Sequence, residues 1–320
     1  MGLILKRIRS RHIAALVLAL LLGPVLLKQL LPSENRHFDY VSLADTVHTE
    51  VEFRNETQEI HLAGLLFIPS GQGPFPAAVI IHGSGTSRRD SGWYLTLSRY
   101  LQQNGVVVLL PDKRGSVGSG GDWRTADFHD LATDTLAAIE FLGEQQQVSI
   151  SKIGVVGMSQ GGWIAPVVAS ESDRLAFVVT MVGSAVTPIE QLQYEENYNI
   201  RQIGFLPGVS NMLAFVSAAI IRNTGQADFW DGVGDFDPIP YWQELSVDTL
   251  IMYGREDTNV PSVESAARLR EIGNPAINVL IYDDSGHPLE DPVGQGNSII
   301  REDALEEIRS FIGTAMAPDS

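Results

Sequence analysis

The chemistry in this chain concentrates in the pentapeptide Gly157-Met158-Ser159-Gln160-Gly161, which directly follows the apolar run Ile153-Gly154-Val155-Val156. A serine held between glycines at the end of a buried strand can occupy a strand-to-helix turn too tight for neighbouring side chains. Such a turn pushes the hydroxyl into the open. An exposed hydroxyl is still a poor nucleophile: a base must take its proton, and a carboxylate must fix the base's tautomer and stabilise its charged form. The implied chemistry is attack of Ser159 on an acyl carbonyl.

A base can be sought among seven histidines. His12 lies in a basic flank, His37 and His48 precede the regular part of the chain, His61 is inside an early strand and His129 sits on a long helix. Only His82 and His287 follow late in a strand or in its loop. The carboxylates near such positions are Glu256 and Asp257, in Tyr253-Gly254-Arg255-Glu256-Asp257-Thr258, and Asp283 and Asp284, in Asp283-Asp284-Ser285-Gly286-His287. A further stretch, His82-Gly83-Ser84-Gly85-Thr86, follows an apolar run and carries bare backbone N–H groups of the kind that can receive the negative oxygen of a tetrahedral intermediate.

These groups need a frame, and the apolar pattern supplies one. Val51-Glu52-Phe53 and Ile60 to Ile68 read as a strand pair across Asn55-Glu56-Thr57. Six later runs (77–81, 106–110, 153–156, 177–182, 250–253, 277–282) read as buried parallel strands, most of them separated by helical stretches. The clearest helix covers 127–142, with Phe128, Leu131, Leu136, Ile139 and Leu142 at helical spacing and Asp127, Asp130 and Asp134 near its positive end. The rhythm breaks between Val182 and Leu250. This stretch, rich in aromatics, is expected to hold helices over 188–198 and 211–223 and to cover the strand ends as a lid (183–248).

The chain has 320 residues and 44% hydrophobic content, enough for one large core, and no cysteine, which excludes disulfides and thiolate metal sites. Net charge is −17, and residues 1–36 hold six cations against Glu34, so the remainder is more acidic still. That balance argues against nucleic acid as a partner. Lys6 to Arg11 form a basic flank, and Ile13 to Leu31, interrupted by Lys28, would reach about 28 Å as a helix. Residues 1–36 are therefore expected to be a signal-anchor or signal peptide, with the membrane as a partner and the body, 37–320, outside the cytoplasm. A phosphate-binding loop is absent because Gly118-Ser119-Gly120-Gly121 has no following lysine, and paired histidines at helical spacing for zinc are lacking. No cofactor or metal is expected.

Taken together, these motifs resemble the α/β-hydrolase superfamily, and within it bacterial serine esterases related to dienelactone hydrolases and prolyl-oligopeptidase-type peptidases. The resemblance covers about 51–313. It includes Pro111-Asp112-Lys113-Arg114-Gly115-Ser116-Val117-Gly118-Ser119, similar to the Asp-x-Arg-Gly-x-Gly-x-Ser segment of those proteins, although the glycines here are displaced around Val117. An ion pair between Asp112 and Arg114 is expected to hold that loop. The resemblance implies an eight-stranded, mostly parallel sheet flanked by helices, with acid and base following the nucleophile in that order. It implies Ser159 as nucleophile, Asp257 as acid and His287 as base. The oxyanion donors would be the N–H groups of Gln160 and Ser84, with Gly85 as the alternative to Ser84. His82, Gly83 and Gly85 would support that loop. The expected substrate is a small acyl ester, with amides or thioesters as the alternative. A serine at position 159 sets the chain apart from enzymes of this fold with an aspartate nucleophile. A membrane-anchored, non-catalytic binding protein is the alternative of another class.

Overall fold

The structure is a computed structural model that describes residues 36–224 and 227–315. The apolar segment Ile13 to Leu31, read above as an anchor, lies outside the described residues; among those described, no helix is long and apolar enough to cross a membrane.

Eight strands form one sheet: β1 (Thr49–Asn55), β2 (Ile60–Phe67), β3 (Phe75–Ile81), β4 (Val107–Pro111), β5 (Val148–Met158), β6 (Val178–Met181), β7 (Thr249–Gly254) and β8 (Ile277–Tyr282). Their spatial order is β1-β2-β4-β3-β5-β6-β7-β8. β2 runs antiparallel to both β1 and β4, and every pairing from β4 to β8 is parallel. The expected mostly parallel, eight-stranded sheet is therefore present. Strand side chains alternate between faces, and helices cover both, which is why the runs look continuously apolar. On β3, Ala77, Val79 and Ile81 join one core and Ala78 and Ile80 the other.

The helices are α1 (Gly92–Gln103), α2 (Phe128–Gly143), α3 (Gly161–Ser170), α4 (Pro188–Ile203), α5 (Pro207–Thr224), α6 (Ala227–Val233), α7 (Ile239–Glu244), α8 (Ser262–Ile272) and α9 (Glu302–Ala315). α1 and α9 pack on one face through Leu95, Leu97, Leu101, Ile308 and Ile312. α2, α3 and α8 pack on the other through residues such as Leu131, Ile164 and Leu269. The aspartates at the start of α2 cap the helix locally. Asp127 accepts from the Asp130 N–H at 2.8 Å, and Asp130 accepts from the Asp127 N–H at 3.2 Å.

Four helices fill the long connection between β6 and β7. α4 starts at a capping box of Thr187 and Glu190, with Pro188 in its first turn, and stops at Gly204, whose φ of 114° ends the helix in the left-handed region. It thus runs a turn beyond the expected stretch. α5 begins earlier than expected, and α6 and α7 are too short for helical periodicity to mark them in the sequence.

Candidate active site

Ser159 sits directly after β5, with α3 starting two residues later. Its φ is +53°, a conformation that costs a residue with a Cβ about 1–3 kcal/mol. The surroundings enforce it. The Ser159 N–H donates to Met181 O on the neighbouring strand at 2.9 Å. A Cβ on Gly157 would stand 2.3 Å from Gly161 O, one on Gly161 2.4 Å from Ile81 O, and one on Gly162 2.3 Å from the Gly183 Cα. Glycine at these positions lets α3 press against the strand ends. Met158 and Gln160 are buried on either side, while Ser159 remains partly accessible.

Two loops bring partners to it. After β8, His287 stands with Nε2 3.0 Å from Ser159 Oγ and Nδ1 2.8 Å from Asp257 Oδ2. A carboxylate only accepts, so the proton between them belongs to Nδ1, which leaves Nε2 free to accept from the serine hydroxyl. Asp257, on the loop after β7, has a fully buried side chain. Its Oδ1 accepts from the N–H groups of Asn259 and Val260, both at 2.8 Å, which locks the rotamer and turns Oδ2 toward His287. The two loops also hold each other, because the Glu256 N–H donates to Ser285 O at 2.9 Å. Trp93 steadies the far side of the histidine: its Nε1 donates to Pro288 O at 3.0 Å and its ring centroid lies 5.7 Å from the imidazole. Of the other carboxylates considered, Asp283 pairs with Arg255.

The glycine loop after β3 abuts the serine, since a Cβ on Gly83 would lie 3.3 Å from Ser159 Cβ. The Gly83 N–H donates to Tyr94 Oη at 2.9 Å. Among the described residues, the N–H groups of Ser84, Gly85 and Gln160 make no intramolecular hydrogen bond, so they are free to receive a ligand oxygen. His82 Nε2 donates to Pro111 O at 2.6 Å and its ring packs edge-on to Tyr94. Burial pushes its pKa down to about 4, which keeps it a neutral strut at the foot of the loop.

Sequence reasoning missed Lys113. This buried lysine donates through Nζ to Gly83 O at 2.9 Å and to Gln160 Oε1, and lies 5.2 Å from the centre of the Trp123 ring. Gly83 C=O and Ser84 N–H belong to one planar peptide group. Holding the carbonyl on one side therefore aims the N–H to the other. Lys113 thus ties together the two segments that carry the free amides. Burial drives its pKa down to about 7, while its two hydrogen bonds and the aromatic face favour the charged form. The only sequence signal was a lysine two residues beyond the apolar strand β4, between Asp112 and Arg114.

The neighbouring loop departs from expectation. Asp112 and Arg114 do not pair with each other: Asp112 meets Arg89 at 2.8 Å, and Arg114 meets Asp134 at 2.7 Å. Each finds its partner on a distant segment, which closeness along the chain does not decide. Val117, where the resemblance expects glycine, keeps a left-handed φ of +47° and is exposed.

Comparison with known proteins agrees with this architecture. The family described as BAAT / acyl-CoA thioester hydrolase C terminal matches residues 136–313, and the dienelactone hydrolase family matches residues 62–204. The chain is 26% identical to esterase EstD of Thermotoga maritima over 240 residues, covering 71% of this chain and 57% of EstD. It is 22% identical to the acylamino-acid-releasing enzyme of Rattus norvegicus over 248 residues, covering 72% of this chain and 31% of that enzyme. It therefore spans little more than half of the first relative and under a third of the second. The α/β hydrolase GrgF from Penicillium sp. sh18 superposes with a TM-score of 0.63 at 19% identity, over 85% of this chain and 100% of that one, which speaks to the fold alone.

Proposed function

This chain belongs to the BAAT / acyl-CoA thioester hydrolase C-terminal family, within the α/β-hydrolase superfamily, and from that premise we propose that it is a serine hydrolase that cleaves carboxylic esters through an acyl-enzyme intermediate. The observation that carries the reading is the continuous chain from Ser159 Oγ through His287 to Asp257, with both links at 3.0 Å or less.

In this mechanism His287 Nε2 takes the hydroxyl proton as Ser159 Oγ attacks the acyl carbon. Asp257 holds the ring and stabilises the imidazolium. The carbonyl oxygen, now negative, is received by the Gln160 and Ser84 N–H groups, which are already oriented before the charge develops. As the C–O bond breaks, His287 returns the proton to the departing alcohol. Water then attacks the acyl-serine with His287 again as base, releasing the acid. The helices of 183–248 serve as a lid in this reading, supported by the hydrogen bond from Tyr194 Oη on α4 to Asp257 O at 2.7 Å.

The test is a pre-steady-state burst of nitrophenol from p-nitrophenyl butanoate. Wild type should give one equivalent per chain, and Ser159→Ala should lose roughly 10,000-fold or more in kcat without loss of fold. A correctly folded wild type that releases no nitrophenol, neither in a burst nor at steady state, would point instead to a non-catalytic binder. Thioester hydrolysis is the second reading, favoured by the family match to thioester hydrolases. Relative kcat/KM on an oxygen ester and a thioester of the same acid decides between them.

A further inference from the structure

Helix α5 is built inside out. Its inner positions are small or polar: Ser210, Ala214 and Ala218 are buried. Ser210 Oγ donates to Asn197 Oδ1 on α4 at 2.6 Å, and Ser217 Oγ donates to Glu196 of the same helix. The outer positions hold the large apolar side chains. Met212, Phe215, Val216 and Ile220 form one face at helical spacing, each between 48% and 63% exposed, and Ile203 and Leu206, just before the helix, are exposed as well. α5 has no carboxylate, and its one charged residue is Arg222. A helix that meets water on its outer side shows the opposite pattern, so this face is shaped for an apolar partner.

The place where the described chain enters the fold points to that partner. Arg36 Nη2 donates to Pro292 O at 3.2 Å and to Gly296 O at 2.6 Å, and the Asp39 N–H donates to Asn297 O at 2.6 Å. These acceptors belong to the loop that carries His287, which folds back on itself where Ser285 Oγ meets Glu290 O and the Arg301 N–H meets Leu289 O. α4, on which α5 packs, is tied to the adjoining acid loop through Tyr194. The entry of the chain and the inverted helix thus both attach to the carboxyl rim of the sheet. Upstream of Arg36 lies the segment 13–31, apolar in sequence on all sides apart from Lys28 and Gln29. The intervening residues 32–35 let Leu31 stand at most about 18 Å from Arg36.

We propose that the outer face of α5 rests on a lipid bilayer, in the zone between headgroups and acyl chains, with the segment 13–31 as the tether that holds the rim there. One partner then covers both apolar surfaces. A second copy of this chain seated on α5 would leave 13–31 in water, and 13–31 folded back on α5 would cover one of its sides and expose the others. The chain beyond residue 36 is acidic, so zwitterionic lipid suits it and anionic lipid repels it. The proposal concerns how the protein sits and does not depend on which bond it cleaves.

The chain has no cysteine, so a single introduced one can be labelled cleanly. The experiment uses the full chain, one copy per phosphatidylcholine nanodisc, carrying a nitrobenzoxadiazole label at Val216→Cys or at Ile150→Cys. Ile150 is equally open to solvent but lies near the start of β5, the end remote from Ser159. The label at 216 should emit further to the blue and lose roughly half its intensity to lipids brominated high on the acyl chain, the depth of an interfacial helix. The label at 150 should do neither. Adding Phe215→Glu and Ile220→Glu should abolish the quenching at 216 while the chain stays with the disc; if that variant fails to fold, the comparison of 216 with 150 stands on its own. Equal behaviour of the two labels overturns the proposal. So does blue emission at 216 without bromolipid quenching, which would mean that protein, either 13–31 or a second copy, covers the face. A full chain that leaves the disc on gel filtration removes the tether and the proposal with it.

Discussion

Two regions meet at Ser159 and are built on different principles. The sheet edge carries Ser159, Asp257 and His287 at the ends of β5, β7 and β8, where β6 and β7 bury every side chain. The connection between β6 and β7 is the reverse: α4 buries only Pro188, and α5 exposes Met212, Phe215, Val216 and Ile220. The first region holds atoms to within hydrogen-bonding distance because close packing leaves them nowhere else to go. The second touches the site at few points, chiefly Tyr194 on the acid loop and Gln191 and Glu195 on the wall of a cavity beside Ser84 and Gln160. The difference teaches that, on the proposed reading, bond-breaking and substrate choice would reside on separate parts of the chain. The first can stay rigid while the second varies.

The largest effect should come from the sheet edge. Asp257→Asn keeps an oxygen for the Asn259 and Val260 amides but can turn an NH₂ toward His287, favouring the wrong tautomer. kcat should fall by about 1,000- to 10,000-fold, with little change in the denaturant midpoint. A loss under 10-fold would remove Asp257 from the chemistry and blur the division between the regions.

Next comes Lys113, which belongs to the scaffold but acts on the amide donors. Lys113→Met should lower kcat roughly 10-fold with a smaller change in KM, because orientation of the Ser84 N–H matters most once the oxyanion forms. The residue also leaves a signature in stability. Its folded pKa, about 7, lies below its ordinary 10.5. The cost of burying its charge is therefore fully present below about pH 7 and is relieved as pH rises from there toward 10.5. Denaturant midpoints at pH 6 and pH 9 should show Lys113→Met gaining on wild type at the lower pH. An equal difference at both would mean that Lys113 does not titrate in this window.

The smallest effects come from a matched pair of glycines. In the scaffold, Gly162→Ala forces a Cβ to within 2.3 Å of the Gly183 Cα and should cost about 1–3 kcal/mol. In α5, Gly208→Ala meets nothing within 4 Å and should stabilise by about 0.4–1 kcal/mol. Urea unfolding of both variants reads the contrast directly. Shifts of the same sign would contradict it.

Much of this was legible in the residues themselves. The eight strands stood out because each needs a short apolar run, and such runs survive any detail of packing. The turn at Ser159 stood out because tight backbone approach demands glycine at 157 and 161. His287 could be picked from seven histidines by its place after a late strand. The limits fall where an outcome depends on which distant groups meet. The sequence favoured Asp257 through the resemblance, with Glu256, Asp283 and Asp284 as rivals nearby, and it is the packing of the β7 and β8 loops that puts Asp257 against His287. Proximity along the chain suggested Asp112 with Arg114, whereas each found a partner elsewhere, Arg89 for one and Asp134 for the other.

What the amino-acid order determined alone is thus local: periodicity, turn residues, and the kinds of group available for acyl chemistry. The tertiary structure decided the rest, including the hold of Lys113 on Gly83 and Gln160 and the two buried polar atoms of Trp123 and Gln191 that are left without a partner. The physical reason is that a hydrogen bond across the fold, or the lack of one, depends on where the whole chain has come to rest. No stretch of sequence records which of its polar atoms will be left without a partner.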